Sequence, residues 1–432
     1  MHTKFNIPET EKERIVIIGA GFAGLEAAKR LAKSKYQVVL LDKNNYHQFQ
    51  PLFYQVAMAG LEPSSIIFPL RKMFQYHDNV HIRVTEVERV DTESRQIHTP
   101  VGHLSYDHLV LAMGADTNFF GNERIAAKSI AMKSVSEALY LRNEILLDYE
   151  KALVTPDYDA RQKLLDIVVV GGGPTGVEVC GSLAEMKTHI LPKDYPELDV
   201  SEIDIYLLQS GPQLLAGMSE NASRGALNYL TELGVKVKLG ARVEDYDGEL
   251  VHIRGGETIP TKKMIWAAGI TGNKPEGLPA ECIQRGNRVK VNEYLEAEGV
   301  PHVYAIGDIA VLTSEEYPHG HPQVAQVAIQ MGKTLADNFK LQSRGKLRKK
   351  FDYKDKGSMA TVGRKKAVVD LPGWKFKGAF AWLVWLFVHL FSLVGFRNRV
   401  VVFFNWVVNY LTYDQSLRVI IRHKEKRGEQ TN

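Results

Sequence analysis

RIVIIGAGFAGLEAAKRLA, Arg14 to Ala32, decides the fold. Ile15-Val16-Ile17-Ile18 is a short, apolar, β-branched run and reads as a buried parallel strand. Gly19-Ala20-Gly21-Phe22-Ala23-Gly24 then supplies G-x-G-x-x-G, and a helix follows with Leu25, Ala28 and Leu31 on one face. Gly19 permits the tight turn, Gly21 lets the backbone approach a pyrophosphate, and Gly24 lets helix and strand pack closely. The helix N-terminus offers free N–H groups and the positive end of its dipole to phosphates. A second apolar run, Val38 to Leu41, ends in Asp42, whose carboxylate suits a ribose 2′-OH. Strand, glycines, helix, strand and terminal acid in this order predict a dinucleotide-binding module.

The same order recurs. Leu164 to Val170 is an apolar strand, Gly171-Gly172-Gly173-Pro174-Thr175-Gly176 is a second G-x-G-x-x-G, and Val177, Val179, Leu183 and Ala184 begin a helix. Ile203 to Leu208 is the next strand, ending at Gln209. In both copies a meander follows, then a strand closing in Ala-x-Gly: Ala112-Met113-Gly114 in the first, Ala267-Ala268-Gly269 in the second. Gly19 and Gly171 lie 152 positions apart, and the two Ala-x-Gly closures 155 apart. This is an internal duplication, and two modules imply two dinucleotides with reactive ends that meet. Val303 to Ile306 is a further short strand ending in Gly307-Asp308, and a helix is expected from His321 to Phe339.

Composition bounds the rest. The 432 residues are 45% hydrophobic and 24% charged, as in a globular chain with ample core. Cys180 and Cys282 are the two cysteines. They are too far apart in sequence for a redox pair and too few for a disulfide scaffold or a cysteine-ligated metal. Cys180 reads as core packing. His319 and His321 sit in a loop and are not expected to bind metal. The N-terminus is polar, so no secretory signal is expected. The net charge of +4 hides an asymmetry: residues 340–432 hold 20 Lys+Arg against 6 Asp+Glu. Basic residues beside apolar ones suggest an anionic membrane surface and no nucleic acid.

The apolar tail carries that asymmetry. GAFAWLVWLFVHLFSLVGF, Gly378 to Phe396, has 19 residues and no formal charge, which meets the length of a spanning helix. Val400 to Leu411 is a second, shorter apolar stretch. A spanning helix, a pair of interfacial helices on an anionic leaflet, and a buried core or dimer helix are the three readings. Trp374, Trp382, Trp385 and Trp406 favour the interface. His389 reads as an interfacial anchor.

From about Arg14 to His423 the chain resembles the type II NADH:quinone oxidoreductases, within the two-dinucleotide-binding-domain flavoproteins. The motifs that carry this are GAGFAGLEAA (19–28), FQPLFYQVA (49–57), LVLAMGA (109–115), VVVGGGPTGVEVCGSLAEM (168–186), MIWAAGI (264–270), VYAIGD (303–308) and AQVAIQ (325–330). The last matches the family's quinone-site pattern AQxAxQ. The resemblance implies an α/β fold with two Rossmann-like domains, one inserted in the other, and a C-terminal membrane-associating helical segment. The expected domains are 1–125 with 285–345 for FAD, 126–284 for NAD(P)H, and 346–432 as the membrane-anchoring region. The resemblance also favours monotopic attachment; with no transit peptide in the sequence, the cytoplasmic side of a cell inner membrane is expected, and a homodimer is expected.

The implied activity is NADH:quinone oxidoreduction without proton pumping: hydride from NADH to FAD, then two-electron reduction of a quinone, ubiquinone or menaquinone. Residue by residue, Gly19, Gly21 and Gly24 would face the FAD pyrophosphate, Asp42 the ribose, Ala112 the closing turn, and Gly307-Asp308 the ribityl and pyrophosphate. Gly171, Gly173, Gly176 and Gly269 would hold NADH. Glu178 would sit where nicotinamide and flavin meet and handle charge or protons. Its equivalent in the first copy is Glu26, so a surface helix role competes. Gln326 and Gln330, four apart and so on one helix face, would meet the quinone, against the alternative of a solvated face. Gln209 departs from the family: NADH-specific members usually carry an acid there, which accepts the 2′-OH and repels a 2′-phosphate. NADH use with some NADPH tolerance is therefore expected. Disulfide reductases and sulfide:quinone oxidoreductases need cysteines beside the flavin, which are missing. The alternative of another class is a membrane-tethered flavoprotein acting as a redox sensor or partner-binding module.

Overall fold

Arg14–Ile18 lies at the centre of a five-stranded sheet ordered Val303–Ala305, His108–Leu111, Arg14–Ile18, Gln37–Asp42, Val80–Val84. All four pairings are parallel, with Ile17 opposite Leu40 and Val110. Ile15, Val16 and Ile17 are fully buried, so each stabilises the fold by about 1.5–3 kcal/mol relative to exposure. The duplicate sheet is ordered Lys236–Leu239, Ile205–Gln209, Ile167–Val170, Lys263–Trp266, again parallel. Each glycine loop leaves the C-terminal edge of its central strand, where a doubly wound sheet binds ligands.

The structure, a computed structural model, describes residues 5–412 and 417–421. Its described residues fall into two units. The first combines Met1–Gln48, Ile67–Asp116 and Ile270–Lys356; the second combines Phe49–Ile66, Thr117–Gly269 and Gly357–Asn432. These limits differ from the sequence-based ones: Phe49–Ile66 and residues 117–125 fall in the second unit, residues 270–284 and 346–356 in the first, and the C-terminal region is not a unit of its own. Residues after Gly269 join the first unit because Asn273 N–H donates to Gly114 O at 3.1 Å and Gly272 N–H to Gly286 O at 2.7 Å. The C-terminal region groups with the second module: the hairpin strand Ser358–Gly363 lies on the helix Pro174–His189. There Val362 O occupies the space a Cβ on Gly181 would need, 1.9 Å away.

The expected helix at His321 begins instead at Ala325 and runs to Gln342. Val324 is extended there, with ψ 155°, and Pro322 just before it disfavours an earlier start. The apolar tail is broken in two. Ala379–Ser392 spans 14 residues, Leu393 turns to an extended conformation, Gly395 adopts φ +89°, and Phe396–Thr412 follows. Fourteen residues rise roughly 21 Å, short of a ~30 Å hydrocarbon core. Among the described residues no helix is long and apolar enough to cross a membrane, which sets the spanning reading aside.

The tail's outer face is apolar. Phe380, Leu383, Phe387 and Phe391 recur at helical spacing and are all more than half exposed. Of the tryptophans expected at an interface, Trp374 is exposed but Trp385 is fully buried, and Trp382 and Trp406 are half-buried and line a pocket. His389 also points inward. Its ring stacks on Trp385 at 3.9 Å, its Nδ1 is 2.8 Å from Trp385 O, and burial lowers its pKa to about 4. It stays neutral and is no interfacial anchor.

Candidate functional site

The first unit builds a phosphate cradle from its own loop. Gly19 sits at φ +101°, and a Cβ there would fall 2.3 Å from Ala112 O. A Cβ on Gly24 would fall 1.9 Å from Gly19 O, so helix and turn touch. Gly21 differs: a Cβ would meet nothing within 4 Å. That open face at the N-cap of Phe22–Leu31 is where a diphosphate fits. Asp42 Oδ2 accepts the Ala20 N–H at 2.7 Å, and Oδ1 accepts the Asn44 N–H at 2.7 Å. Burial raises the Asp42 pKa, and these two N–H donors oppose the rise. Gly307, at φ +76°, ends the neighbouring strand and gives its N–H to Met331 Sδ at 3.4 Å. Asp308 O accepts from Gln323 Nε2 at 2.8 Å. Gly19, Ala112 and Gly307 thus stand at the same edge of three adjacent strands. The residues fit the pyrophosphate of a dinucleotide.

His47 was not singled out from sequence, yet it supports this loop. It is buried, its Nδ1 lies 2.9 Å from Ala20 O, and its ring meets Phe22 edge-on at 5.4 Å. Desolvation lowers its pKa to about 4, so the neutral Nδ1–H tautomer donates to the loop. Its only sequence signal is its place shortly after Asp42.

The second unit repeats the cradle. Gly171 has φ +111° with Ala267 O at 2.4 Å from a notional Cβ; on Gly176 a Cβ would fall 1.9 Å from Gly171 O; at Gly173 nothing lies within 4 Å. Gln209 Oε1 accepts the Gly172 N–H at 2.9 Å, the same support that Asp42 gives Ala20. The amide therefore replaces the acid's structural bond but not its charge. Gly269 lies beneath the Phe120 ring, 2.8 Å from a notional Cβ.

Glu178 is no surface helix residue. It keeps a little contact with solvent, but protein atoms crowd its carboxyl, and desolvation raises its pKa to about 8. The Thr361 N–H favours the carboxylate and offsets part of that rise, with the Trp385 indole nearby but its Nε1 in no hydrogen bond. Neither residue is visible from the local sequence, because both come from the C-terminal region.

Gln326 and Gln330 share a face of the helix Ala325–Gln342 and clasp the irregular segment after it. Gln330 Nε2 donates to Lys354 O at 2.9 Å and its Oε1 accepts the Lys354 N–H at 3.0 Å. Gln326 Oε1 accepts the Lys356 N–H at 3.0 Å, and its Nε2 donates to Asp355 Oδ1 at 3.3 Å. Their amides hold residues 354–356 in register, a contact that the spacing alone did not reveal. Cys180 and Cys282 are free, buried and in different units. Burial raises the Cys180 pKa, which makes it packing and not a nucleophile.

Residues 13–332 match the family model described as pyridine nucleotide-disulphide oxidoreductase, and residues 356–413 that of the NDH2 C-terminal domain. The chain is 35% identical over 416 residues to a type II NADH:quinone oxidoreductase of Mycobacterium tuberculosis, covering 93% of this chain and 89% of that one. It is 27% identical over 439 residues to an internal alternative NAD(P)H-ubiquinone oxidoreductase, mitochondrial, of Arabidopsis thaliana, covering 93% and 85%. The fold matches that of NDH2 from Plasmodium falciparum, solved in complex with NADH, at a TM-score of 0.86 and 23% identity, over 95% of this chain and all of the other.

Proposed function

The chain belongs to the type II NADH:quinone oxidoreductases, and we propose on that premise that it couples NADH oxidation to quinone reduction through FAD, at a membrane surface, without pumping protons. The observation that carries this reading is the paired cradle. Two loops with the same tight turn and the same open middle glycine each end a parallel strand. FAD, when bound, supplies the redox chemistry by accepting a hydride and passing on two electrons. The chain's residues bind and orient. Gly19, Gly21, Gly24, Asp42, Ala112 and Gly307-Asp308 hold the flavin dinucleotide, and Gly171, Gly173, Gly176, Gln209 and Gly269 hold NADH. Glu178 stays protonated near neutral pH and keeps a proton ready at its carboxyl oxygen. Gln326 and Gln330 act at the quinone as positioning residues, fixing 354–356 beside it. The exposed face Phe380, Leu383, Phe387 and Phe391, with the basic residues around it, lies on an anionic leaflet of the inner membrane, cytoplasmic side, as a homodimer.

The test is turnover by purified yellow protein with NADH and a ubiquinone or menaquinone analogue on anionic vesicles. Rapid quinone-dependent NADH oxidation with no vesicle acidification is expected. Absence of turnover would favour a slow redox-sensing flavoprotein, and full recovery in the supernatant would remove the membrane part. Gln326→Ala is expected to raise the quinone KM several-fold while NADH–ferricyanide turnover stays within twofold; equal loss of both would leave the clasp a purely structural role.

Gln209 sets the nucleotide preference. With no carboxylate to repel a 2′-phosphate, NADPH should be used, at a kcat/KM within about 10²-fold of NADH. Gln209→Glu should widen that ratio by at least about tenfold, or ~1.4 kcal/mol of discrimination. Comparing the two nucleotides on both proteins decides it. A wild-type ratio near 10⁴, or one the substitution leaves unchanged, would place the discrimination elsewhere.

A further inference from the structure

The stretch TNFFGN, Thr117 to Asn122, lies in the second unit and is tied to the end of its parallel sheet. The Asn118 N–H donates to Gly269 O at 3.0 Å, and the Trp266 indole N–H donates to Asn118 O at 2.9 Å. At the other end the Asn122 side chain caps the helix Glu123–Lys128 and donates to Glu244 O at 3.0 Å. Between these anchors two adjacent phenyl rings part. Phe119 stacks on Trp266, with centroids 6.3 Å apart, and packs on the core around it. Phe120 turns outward, 65% exposed, at φ +53°. A bulky side chain avoids that left-handed backbone, and such strain persists only where the surroundings impose it. Asn118 helps to impose it, its Oδ1 accepting the Phe120 N–H at 2.8 Å.

The tip of the Phe120 ring rests on Gly269. The three heavy atoms nearest to a Cβ there are Phe120 Cζ at 2.8 Å, Cε2 at 3.4 Å and Cε1 at 3.7 Å. Gly269 does not adopt a positive φ, so its lack of a side chain accommodates the ring and not a turn. Sheet order places that ring along the dinucleotide. The strands run Lys236–Leu239, Ile205–Gln209, Ile167–Val170, Lys263–Trp266. Gln209 stands on one side of the Gly171 loop, where the adenosine ribose binds, and the phosphates lie over the loop itself. The nicotinamide half then extends over the strand on the other side, Lys263–Trp266, whose exit is Ala267-Ala268-Gly269. That exit abuts the loop, since Ala267 O is 2.4 Å from a notional Cβ on Gly171. No planar ring fits between Phe120 and Gly269 at their separation, so a dinucleotide arriving there meets the phenyl ring in place of the glycine.

We propose that Phe120 is the residue on which the nicotinamide ring of NADH lies, and that Gly269 serves the site by seating that phenyl ring. This rests on the reading of the second module as the NADH site. Two aromatic rings in offset contact attract each other beyond the area they bury, and the exposed face of Phe120 loses water when the nicotinamide covers it. The loop is already pinned at Asn118 and Asn122, so little freedom is left to lose on binding, which favours affinity. The bare alternative is a ring that only shields the Trp266 edge, 6.5 Å away between centroids. Such a shield would act on the whole module and would not distinguish one half of the dinucleotide from the other.

The experiment compares Phe120→Ala with wild type as full-length holoenzyme. It reads kcat/KM for NADH and the inhibition constant of ADP-ribose, which keeps the adenosine, the phosphates and the second ribose but lacks the nicotinamide. Phe120→Ala should lower kcat/KM for NADH by at least tenfold and leave the ADP-ribose constant and the quinone KM within twofold. Gly269→Ala should show the same signature, because its Cβ displaces the ring. Adding Gly269→Ala to Phe120→Ala should then cost less than a further twofold. An NADH kcat/KM within twofold of wild type in Phe120→Ala, or equal weakening of NADH and ADP-ribose, overturns the contact. A Gly269→Ala loss as large without the phenyl ring as with it also overturns it, since Gly269 would then touch the dinucleotide itself. If Phe120→Ala loses its flavin or fails to fold, Phe120→Leu, which keeps an apolar side chain on the loop, is judged by the same criteria. A wild-type flavin that NADH does not bleach would instead strike the functional reading.

Discussion

Gly24→Val should purify colourless, whereas Gly176→Val should purify yellow but resist bleaching by NADH. The two substitutions are sterically the same. Each puts a Cβ 1.9 Å from the carbonyl oxygen of the turn glycine, Gly19 or Gly171. Neither carbonyl moves freely, because the Gly19 N–H is held by Leu41 O at 2.7 Å and the Gly171 N–H by Leu208 O at 2.8 Å. The helix must therefore shift away from the loop, taking its N-terminal N–H groups off the phosphates. Both variants should lose NADH:quinone activity by more than about 10²-fold, equivalent to ~2.7 kcal/mol or more. The losses differ in kind. Visible flavin absorbance per protein separates them, and so does the flavin spectrum after NADH is added without oxygen. Retention of full flavin by Gly24→Val would sink the assignment of FAD to the first module. Exchanged colours would reverse the two modules.

Both cradles could be read from the chain because every part of the signal is local. A buried strand, a glycine spacing and a helix face occupy fewer than 20 consecutive residues in Arg14–Ala32, and duplication supplied a second copy. The tail could be read only in part. Hydropathy registers that Gly378 to Phe396 is apolar, but the break at Leu393–Gly395 depends on backbone torsions that no hydropathy average contains. Composition likewise marks the tryptophans as interfacial, yet burial of Trp385 needs the Phe53–Ala57 helix, whose Tyr54 ring meets it at 6.3 Å. His47 and Thr361 are invisible in sequence for the same reason. Each acts on a residue that the chain brings near only by folding. Gln326 and Gln330 are an intermediate case: their shared face follows from spacing, and their grip on 354–356 does not.

Glu178→Gln is expected to lower kcat with quinone by about 10²-fold, the lower end of what a positioned acid contributes, while raising thermal stability in alkaline buffer. Both follow from one physical cause. In the folded chain the Glu178 carboxyl has its pKa raised to about 8 by desolvation, against about 4.3 when unfolded. Between those values the folded state binds a proton that the unfolded state has lost. Its contribution to stability is complete below the unfolded pKa and is lost as pH rises through about 8. Glutamine has no proton to lose and keeps a carbonyl oxygen for the Thr361 N–H. The Tm difference between variant and wild type should therefore widen in favour of the variant from pH 5 to pH 8.5. Activity runs the other way. Wild-type turnover should fall as pH rises past about 8, when the acid ionises, while the variant's low turnover should lack that limb. A residue that merely packs would give both proteins parallel pH–rate profiles and parallel Tm curves, and that outcome would end the proton-handling role. A loss of turnover accompanied by a lower Tm at every pH would assign Glu178 to the structure of the loop and not to the transfer of a proton.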